Sequence, residues 1–486
     1  MKEIDPELEE LEELDDAESA PAIPAAALAA HAAVGERRAT DRQIWTLAWP
    51  TILSLVLANL VSLIDIAMLG RLGTEALAAV GYATQFFMLA QSLLLAVGAV
   101  CVALVARAVG GRDPLEARRA FAASLLLAQC VALTLTAPVL LAPEFLLGLL
   151  NAPPGIVARA VPYFQLTLGS SLLLAFSFTY ESAFRAVGDT RTPLRIVGLV
   201  TLVKISLNAV LIFGLLGIPR LELVGAGIAT ILAQLVAVGF FARAGTKTPY
   251  AAMLRLGAAE LRGAWGRIAD ALRMALPALT ERLVLHAAIL VYFSVLGDYG
   301  PIAVAAYTIG VRVLSFSWIP GTGFAVAAAT LVGQSLGAGE PRSAVRAGWR
   351  AVRFAVSVSV VLGSLYALAR VPIAALFTGD PVVIAALDPF MLVLALAQPL
   401  LGLHFTLGGS LRGAGDTLSP MWAAALGNWV LRVPLALLFA RVLELGVVWV
   451  WSTLVFDHLA RAIWLVVVFR RGRWQQRSWL RARASG

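Results

Sequence analysis

Long apolar segments alternate with short polar breaks along the chain from about residue 43 onward. A helix rises about 1.5 Å per residue, so about 20 apolar residues cross the ~30 Å hydrocarbon core of a bilayer. The pattern therefore predicts an all-α polytopic membrane protein with twelve transmembrane helices. We place them near 44–70, 77–109, 116–148, 157–186, 191–216, 223–245, 267–297, 304–336, 343–374, 382–412, 418–442 and 446–470.

The twelve segments form two copies of one pattern. Pro50 recurs as Pro277, since 50 + 227 = 277, and the loop RAVGDTRTP at 185–193 returns at the same offset as RGAGDTLSP at 412–420. Six helices per copy keep both copies in the same orientation. We therefore expect two six-helix lobes related by a pseudo-two-fold axis along the membrane normal, with the substrate path between them.

The repeat also defines the expected domains. We assign 42–245 to the N-terminal lobe, 246–266 to a cytoplasmic linker and 267–472 to the C-terminal lobe. Residues 1–41 are expected to be a disordered acidic cytoplasmic tail, because so little apolar surface cannot offset the entropy of ordering. Residues 473–486 are expected to be a basic cytoplasmic tail.

Composition and charge narrow the class of protein. Hydrophobic residues make up 60% of the chain and charged residues only 14%, against roughly 25% charged in soluble proteins. Arginines concentrate in alternate loops, which by the positive-inside rule predicts that both termini are cytoplasmic. We expect the protein to lie in the cytoplasmic (inner) membrane. This loop distribution accounts for the net charge of +8 without a nucleic-acid partner, and no obligate protein partner is apparent.

Motifs for enzyme chemistry are weak. The chain contains no phosphate-binding loop of the Gly-rich type with Lys-Ser/Thr, and no His or Cys pattern that predicts a metal site. The match to Gly-x-Ser-x-Gly at 333–337 ends a membrane helix and lacks the strand-turn-helix context that a nucleophilic serine needs. We expect no catalytic residue, cofactor or metal, and a membrane-embedded enzyme is the alternative from another class.

Polar residues inside the N-terminal lobe carry the candidate site. Asp65 lies well inside the first helix, where a charge costs several kcal/mol and indicates function by default. Lys204 lies in the middle of the fifth helix, on one face with Thr201 and Asn208. We expect Lys204 to point inward to Asp65. This pair is either a fixed structural ion pair or part of the transport mechanism.

The second half carries different charges. Its position equivalent to Asp65 is Tyr292, since 65 + 227 = 292, and Glu281 replaces Ser54, since 54 + 227 = 281. Glu281 is expected to pair with neighbours of Arg282 or with Arg432. The candidate polar network of this lobe, which is either structural or functional, consists of Glu281, Arg312, Arg432 and Asp457.

Several motifs resemble one family. The segment IDIAMLGRLGTEALAAVG, the two loops RAVGDTRTP and RGAGDTLSP, and LVGQSLGAGEP are similar to the multidrug and toxic compound extrusion (MATE) family. Within it, PALTER in the seventh helix and the closing RRGRW resemble the DinF-like branch. The resemblance covers about residues 42–473. It implies a V-shaped cavity between two six-helix lobes, and efflux of organic, often cationic, compounds in exchange for protons or sodium ions.

The resemblance also implies roles for residues. Asp65 matches the first-helix carboxylate that binds the coupling ion or substrate, and Thr230 fits the family's polar contact in the sixth helix. Where many members have Asn-x-x-x-Asp in the fifth helix, this chain has Lys204 and Asn208. A lysine there departs from the family pattern, because it would hold Asp65 ionised and compete with protons or sodium. Glu281 resembles the seventh-helix acid of the branch.

The sequence therefore predicts a secondary active antiporter that exports organic, cationic drugs or toxic compounds by alternating access. Protons and sodium ions are both retained as the coupling ion. The alternative within transport is a flippase for lipid-linked oligosaccharide, the other activity of the wider superfamily.

Overall fold

The computed structural model describes residues 25–150 and 152–476, and every regular element in these ranges is a helix. Twelve helices are long and apolar enough to cross a membrane, as the sequence predicts. The N-terminal half contains α1 (Ala25–Gly70), α2 (Thr74–Gly110), α3 (Pro114–Leu141), α4 (Pro143–Leu149), α5 (Pro154–Gly169), α6 (Ser171–Ala186), α7 (Arg191–Phe213) and α8 (Glu222–Lys247). Two short helices follow, α9 (Ala251–Leu254) and α10 (Ala258–Gly263).

The second half repeats this order. It contains α11 (Trp265–Gly297), α12 (Pro301–Gly337), α13 (Pro341–Leu368), α14 (Arg370–Ala375), α15 (Pro381–Gly413), α16 (Leu418–Ala425), α17 (Val433–Leu437) and α18 (Val447–Arg471). The eleventh span, Leu418–Val442, is irregular, because π-helical segments at Leu426–Arg432 and Leu438–Val442 flank α17. In a π-helix the hydrogen bonds run from i to i+5, and this geometry is frequent at functional sites.

The tails are described only in part. The chain divides into two compact units, Met1–Gln43 and Ile44–Gly486. Residues 25–41, which we expected to be disordered, are helical, and the physical reason is their alanine content, since alanine has the highest helix propensity. Residues 1–24 of the predicted acidic tail and 477–486 of the predicted basic tail lie outside the described residues.

Each half buries its own apolar core. In the N-terminal lobe Phe164 and Ile212 pack in one cluster of buried side chains. In the C-terminal lobe Phe390 and Trp451 pack in another, with their rings 5.2 Å apart. Burial of such side chains contributes about 1.5–3 kcal/mol each, so each lobe has a core that stabilises it separately.

The first helix of each half packs on both lobes. The second unit begins at Ile44, within α1. There α1 packs through Ile44 in a cluster with Phe324 of the C-terminal lobe. Near its own start, α11 packs through Met274 against Val97 of the N-terminal lobe. The far ends of α1 and α11 pack in their own lobes. At one side of the membrane, each of these two helices therefore packs against the lobe of the other half.

A proline lies at the same repeat position in both of these helices. Pro50 is inside α1 and Pro277 is inside α11, and 50 + 227 = 277. Proline in a helix interior removes one backbone hydrogen bond and favours a bend. Both helices thus carry a bend site between the part that packs on the other lobe and the part that packs on their own.

The two lobes touch at the membrane face that carries the arginine-rich loops, here called the arginine-rich face. Gly110 ends α2 and Gly337 ends α12, and 110 + 227 = 337. A Cβ atom on Gly110 would lie 1.9 Å from the carbonyl oxygen of Gln334, and one on Gly337 would lie 2.0 Å from that of Arg107. Nearby, the Gln334 Nε2 donates to the Ala186 carbonyl at 2.8 Å. The lobes therefore close this face through direct backbone contact.

Candidate functional site

Asp65 is held by two side chains from α7. The Lys204 Nζ donates to Asp65 Oδ2 at 2.6 Å, and the Asn208 Nδ2 donates to Asp65 Oδ1 at 2.6 Å. Lys204 and Asn208 are four residues apart on one helix, so their side chains lie one above the other on the same face. Each occupies a different carboxylate oxygen. The predicted approach of Lys204 and Asn208 to Asp65 is present in the structure.

In this cluster the side chains of Asp65 and Lys204 are partly exposed, whereas that of Asn208 is buried. The side chains of Lys204 and Asp65 are 21% and 20% exposed, whereas Asn208 is 1% exposed. Asp65 lies five residues before the end of α1 at Gly70, since 70 − 65 = 5, which is about 7.5 Å along the helix. The site therefore lies toward the membrane face opposite the arginine-rich face.

The charges in this cluster balance one to one, but one acceptor is unused. The Asn208 Oδ1 is buried and has no hydrogen-bond partner among the described residues. Carboxylate and amide oxygens are the ligand atoms that hard metal cations prefer. If Lys204 withdrew, Asp65 and Asn208 would present these oxygens to a proton, a metal cation or an organic cation.

Thr230 is not part of this hydrogen-bonded set. Its hydroxyl donates to the Ala226 carbonyl within α8 at 2.9 Å. A threonine on a helix commonly satisfies its hydroxyl in this way, and the bond accounts for the hydroxyl without Asp65. A role for Thr230 in binding stays a prediction.

Glu281 pairs with a residue that we did not predict. The Arg412 Nη2 lies 2.5 Å and 2.8 Å from the two carboxylate oxygens of Glu281, so pairing with Arg432 or with neighbours of Arg282 was wrong. Arg412 lies in the last turn of α15, which brings it to α11. Its repeat equivalent, Arg185, instead pairs with Glu181 inside α6. The acid has changed helices between the two copies, while the arginine has not.

The predicted four-residue network of the C-terminal lobe is also wrong as one unit. Arg312 is exposed on α12 and forms no ion pair among the described residues. Glu281 belongs to the pair with Arg412, and Arg432 and Asp457 form a separate cluster. The four residues lie on four different helical segments. Sequence alone does not show how these segments are rotated toward one another, so it does not show which of the four side chains meet.

Asp457 is the centre of that second cluster. It is fully buried and is bound by Arg461 one turn away on α18, with the Arg461 Nη2 donating to Oδ2 at 2.8 Å. Arg432 approaches less closely, with Nη1 4.0 Å from Oδ2. Arg461 is not among the residues predicted from the sequence, although the i, i+4 spacing of an acid and a base is a recognisable signal for such a pair.

Removing the charge of Arg412 tests how much the Glu281 pair stabilises the C-terminal lobe. The two side chains are only 17% and 15% exposed, so Arg412→Gln leaves a carboxylate in a poorly solvated position. We expect a loss of about 1–3 kcal/mol in stability, measured as a lower thermal unfolding midpoint in detergent. Arg370→Gln, which breaks an ion pair whose side chains are 41% and 33% exposed, is the control and should cost less than 1 kcal/mol.

A cavity of about 450 Å³ lies along the start of α2. It is lined by uncharged residues, Ala78, Gly81, Tyr82, Gln85 and Leu150. Asp65 and Lys204 do not line it. Ligand pockets commonly enclose most of the surface of a bound molecule, whereas this cavity is shallow and widely open, so it does not by itself identify a binding site.

Three comparisons place the chain among known proteins. The sequence profile of the MatE family matches residues 50–210 and 277–438, which are the two halves of the repeat. The chain is 30% identical over 412 residues to a probable multidrug resistance protein NorM of Bradyrhizobium diazoefficiens, covering 84% of this chain and 88% of that protein. It is 29% identical over 441 residues to a protein of the same name from Thermotoga maritima, covering 90% and 94%.

A solved structure shares the fold. The structure of a mutant of the Vibrio cholerae MATE transporter VcmN matches this chain with a TM-score of 0.83 and 20% sequence identity, over 90% of this chain and 99% of that one. At this identity the likeness shows the fold alone.

Proposed function

The chain belongs to the MatE family, and we propose that it is a secondary active multidrug efflux transporter that exchanges organic compounds for protons or sodium ions. The observation that carries the proposal is the cluster of Asp65, Lys204 and Asn208, which places an accessible carboxylate inside a membrane-spanning helix. Relatives named as probable multidrug resistance proteins support the substrate class.

In the proposed mechanism, alternating access depends on an exchange of binding partners at Asp65, between Lys204 and a ligand. In the structure the carboxylate is neutralised by Lys204 and the arginine-rich face is closed. In the other state Asp65 would bind a proton, a metal cation or a cationic substrate instead. A ligand shifts the balance between two states only if it binds them unequally, and competition with Lys204 at one carboxylate supplies that difference.

The charge pattern sets the proposed orientation. We assign the arginine-rich face to the cytoplasm, so that both termini are cytoplasmic in the inner membrane. The closed face is then the cytoplasmic one, and Asp65 is nearer the outside. In this proposed orientation, the closed arginine-rich face supports assigning the structure to an outward-facing state, in which substrate is released and the coupling ion is taken up.

Of the two transport hypotheses, drug export has the better support. Relatives named as probable multidrug resistance proteins and the partly exposed Asp65 carboxylate support it, whereas a lipid-linked oligosaccharide would need a large and strongly cationic cavity. We propose no enzymatic activity and no obligate protein partner, and we propose that a small organic cation is the substrate.

Purified protein in liposomes tests the proposal. A proton gradient and a sodium gradient are imposed separately, and uptake of ethidium, an aromatic organic cation, is followed by fluorescence. We expect one of the two gradients to drive ethidium against its concentration gradient by at least about fivefold. Equal ethidium movement with both gradients, with neither, and in empty liposomes would contradict coupled export.

A further inference from the structure

We propose that the C-terminal lobe contains a binding site for a small monovalent anion of halide size, beside Arg432 and between the π-helical segment Leu426–Arg432 and α18. This inference goes beyond the proposed export of organic compounds and does not depend on it. It rests on the balance of charge in the cluster around Asp457, which differs from that around Asp65.

The site lies where the repeat places it. Tyr292 is equivalent to Asp65, since 65 + 227 = 292, and Asp457 is equivalent to Thr230, since 230 + 227 = 457. Arg432 lies one position beyond the equivalent of Lys204, since 204 + 227 = 431. The base therefore stays on the fifth helix of each repeat, whereas the acid lies on the first helix in the N-terminal lobe and on the sixth helix in the C-terminal lobe.

Arg432 lacks a counter-charge in direct contact. Arg461 occupies both oxygens of Asp457, and the Arg432 Nη1 is left 4.0 Å from Oδ2. The close contacts of Arg432 are neutral. Its guanidinium group lies 4.3 Å from the centre of the Tyr292 ring and donates to the Tyr307 hydroxyl at 3.2 Å. Two guanidinium groups thus share one carboxylate, and the cluster has one excess positive charge.

Buried nitrogen atoms without a hydrogen-bond partner belong to the same cluster. The Arg432 Nε, both ring nitrogens of His458 and the Nε2 of His404 are buried without a hydrogen-bond partner among the described residues. The His458 Nδ1 lies 4.0 Å from Asp457 Oδ2, the same oxygen that Arg432 faces, and the rings of His404 and His458 stack at 4.9 Å. The Arg432 Nε carries an N–H, and a neutral imidazole carries an N–H on one of its two nitrogens, so each histidine ring can offer one donor. Donors of this kind beside a positive charge are the chemistry that binds an anion.

Burial makes the excess charge costly and limits the ligand to a small ion. Arg432, His458 and His404 are 7%, 5% and 7% exposed. An unpaired charge removed from water costs several kcal/mol, and an anion beside Arg432 would lower that cost. A cation would meet two guanidinium groups and be repelled, so the site has the opposite preference to the site at Asp65.

The π-helical segment brings the backbone against the charged cluster. A Cβ atom on Gly427 would lie 1.9 Å from Asp457 Oδ1, so the segment packs directly on the carboxylate. The same segment ends at Arg432. The segment therefore carries Arg432 to within 4.0 Å of Asp457 Oδ2, the oxygen that His458 also approaches.

Anion-dependent thermal stability tests the site. Purified protein in detergent is unfolded in sodium chloride and in sodium gluconate, at constant ionic strength and pH, because gluconate is too large for a site of this burial. A ligand that binds the folded state raises the unfolding midpoint in proportion to the logarithm of its concentration. We expect chloride to raise the midpoint by about 2 °C or more relative to gluconate, and bromide to act similarly.

Three variants separate binding from stability. Arg432→Gln should lose the chloride-dependent shift, and Asp457→Asn should keep it or enlarge it, because it leaves two guanidinium groups without their carboxylate. Arg441 lies in the same span as Arg432 and forms an exposed ion pair with Asp298. Arg441→Gln breaks this pair and should leave the chloride-dependent shift unchanged. A purely structural cluster would lower the midpoint in Arg432→Gln and Asp457→Asn without changing the dependence on chloride.

The proposal is overturned by no chloride shift in the wild type, or by an undiminished shift in Arg432→Gln. Should Arg432→Gln fail to fold, the comparison of wild type with Asp457→Asn still decides. A smaller shift in Asp457→Asn than in wild type would mean that the carboxylate, and not the arginine, supports the effect.

Discussion

Export of organic cations is expected to fall at least about tenfold when Asp65 is replaced by asparagine. The substitution keeps the size of the side chain and removes the carboxylate to which Lys204 and Asn208 donate. Lys204, 21% exposed, would then hold an uncompensated charge, and no group would remain to exchange Lys204 for a coupling ion. A drug-sensitive host reports the effect as a lower tolerated drug concentration, at equal amounts of protein in the membrane.

Lys204→Asn separates two explanations of the same pair. If Asp65 exchanges partners, removal of the lysine leaves the carboxylate without the partner that neutralises it in the structure, and export should also fall. The double variant Asp65→Asn with Lys204→Asn should remain inactive. If the pair is only structural, the double variant should recover export, because removing both members of an ion pair costs far less than removing one.

Arg441→Gln is the matched control for these variants, because its ion pair with Asp298 has side chains 54% and 45% exposed. It should export as the wild type does. Unchanged export in both Asp65→Asn and Lys204→Asn would rule out partner exchange. Export that fails in the single variants and returns in the double variant would assign the pair to stability.

The pairing of Asp65 with Lys204 could be predicted because the sequence offered few alternatives. Both residues lie in the middle of predicted spans of one lobe, and a buried charge requires a partner. The twelve spans could be predicted for a different reason, since the length of an apolar segment shows whether a helix can cross a bilayer. The repeat then fixed how the spans divide into lobes.

The contacts of the C-terminal lobe could not be predicted in the same way. This lobe offers several arginines for two acids, and the choice depends on how the helices are rotated. The repeat misled us here, because Arg412 keeps the position of Arg185 but finds its acid on α11 rather than in its own helix. The π-helical segment that places Arg432 has no signal in hydrophobic periodicity, since it changes the register within one span.

Gly337→Ala is expected to open the arginine-rich face and to lower export by about tenfold or more. An added Cβ would lie 2.0 Å from the Arg107 carbonyl oxygen and 3.0 Å from the Gly111 nitrogen. These are backbone atoms, so α2 and α12 must separate. Overpacking of this kind costs about 1–3 kcal/mol, which shifts a two-state equilibrium by about 5–150-fold toward the state with this face open.

Accessibility of a reporter cysteine measures the opening. Thr330, 1% exposed in the contact between the lobes, is changed to cysteine in a chain carrying Cys101→Ser and Cys130→Ser, and its labelling by a maleimide is timed. Gly337→Ala should label faster. Gly70→Ala, where a Cβ would meet no atom within 4 Å, is the control and should leave both labelling and export unchanged.

The repeat supplies the decisive comparison. Gly110→Ala places a Cβ 1.9 Å from the Gln334 carbonyl oxygen, on the other side of the same contact, and should reproduce the effect of Gly337→Ala. Because both substitutions separate the same two helices, their effects should not add: once one has opened the face, the second has no contact left to break. Additive effects, or slow labelling in either variant, would show that the glycine contact does not control closure.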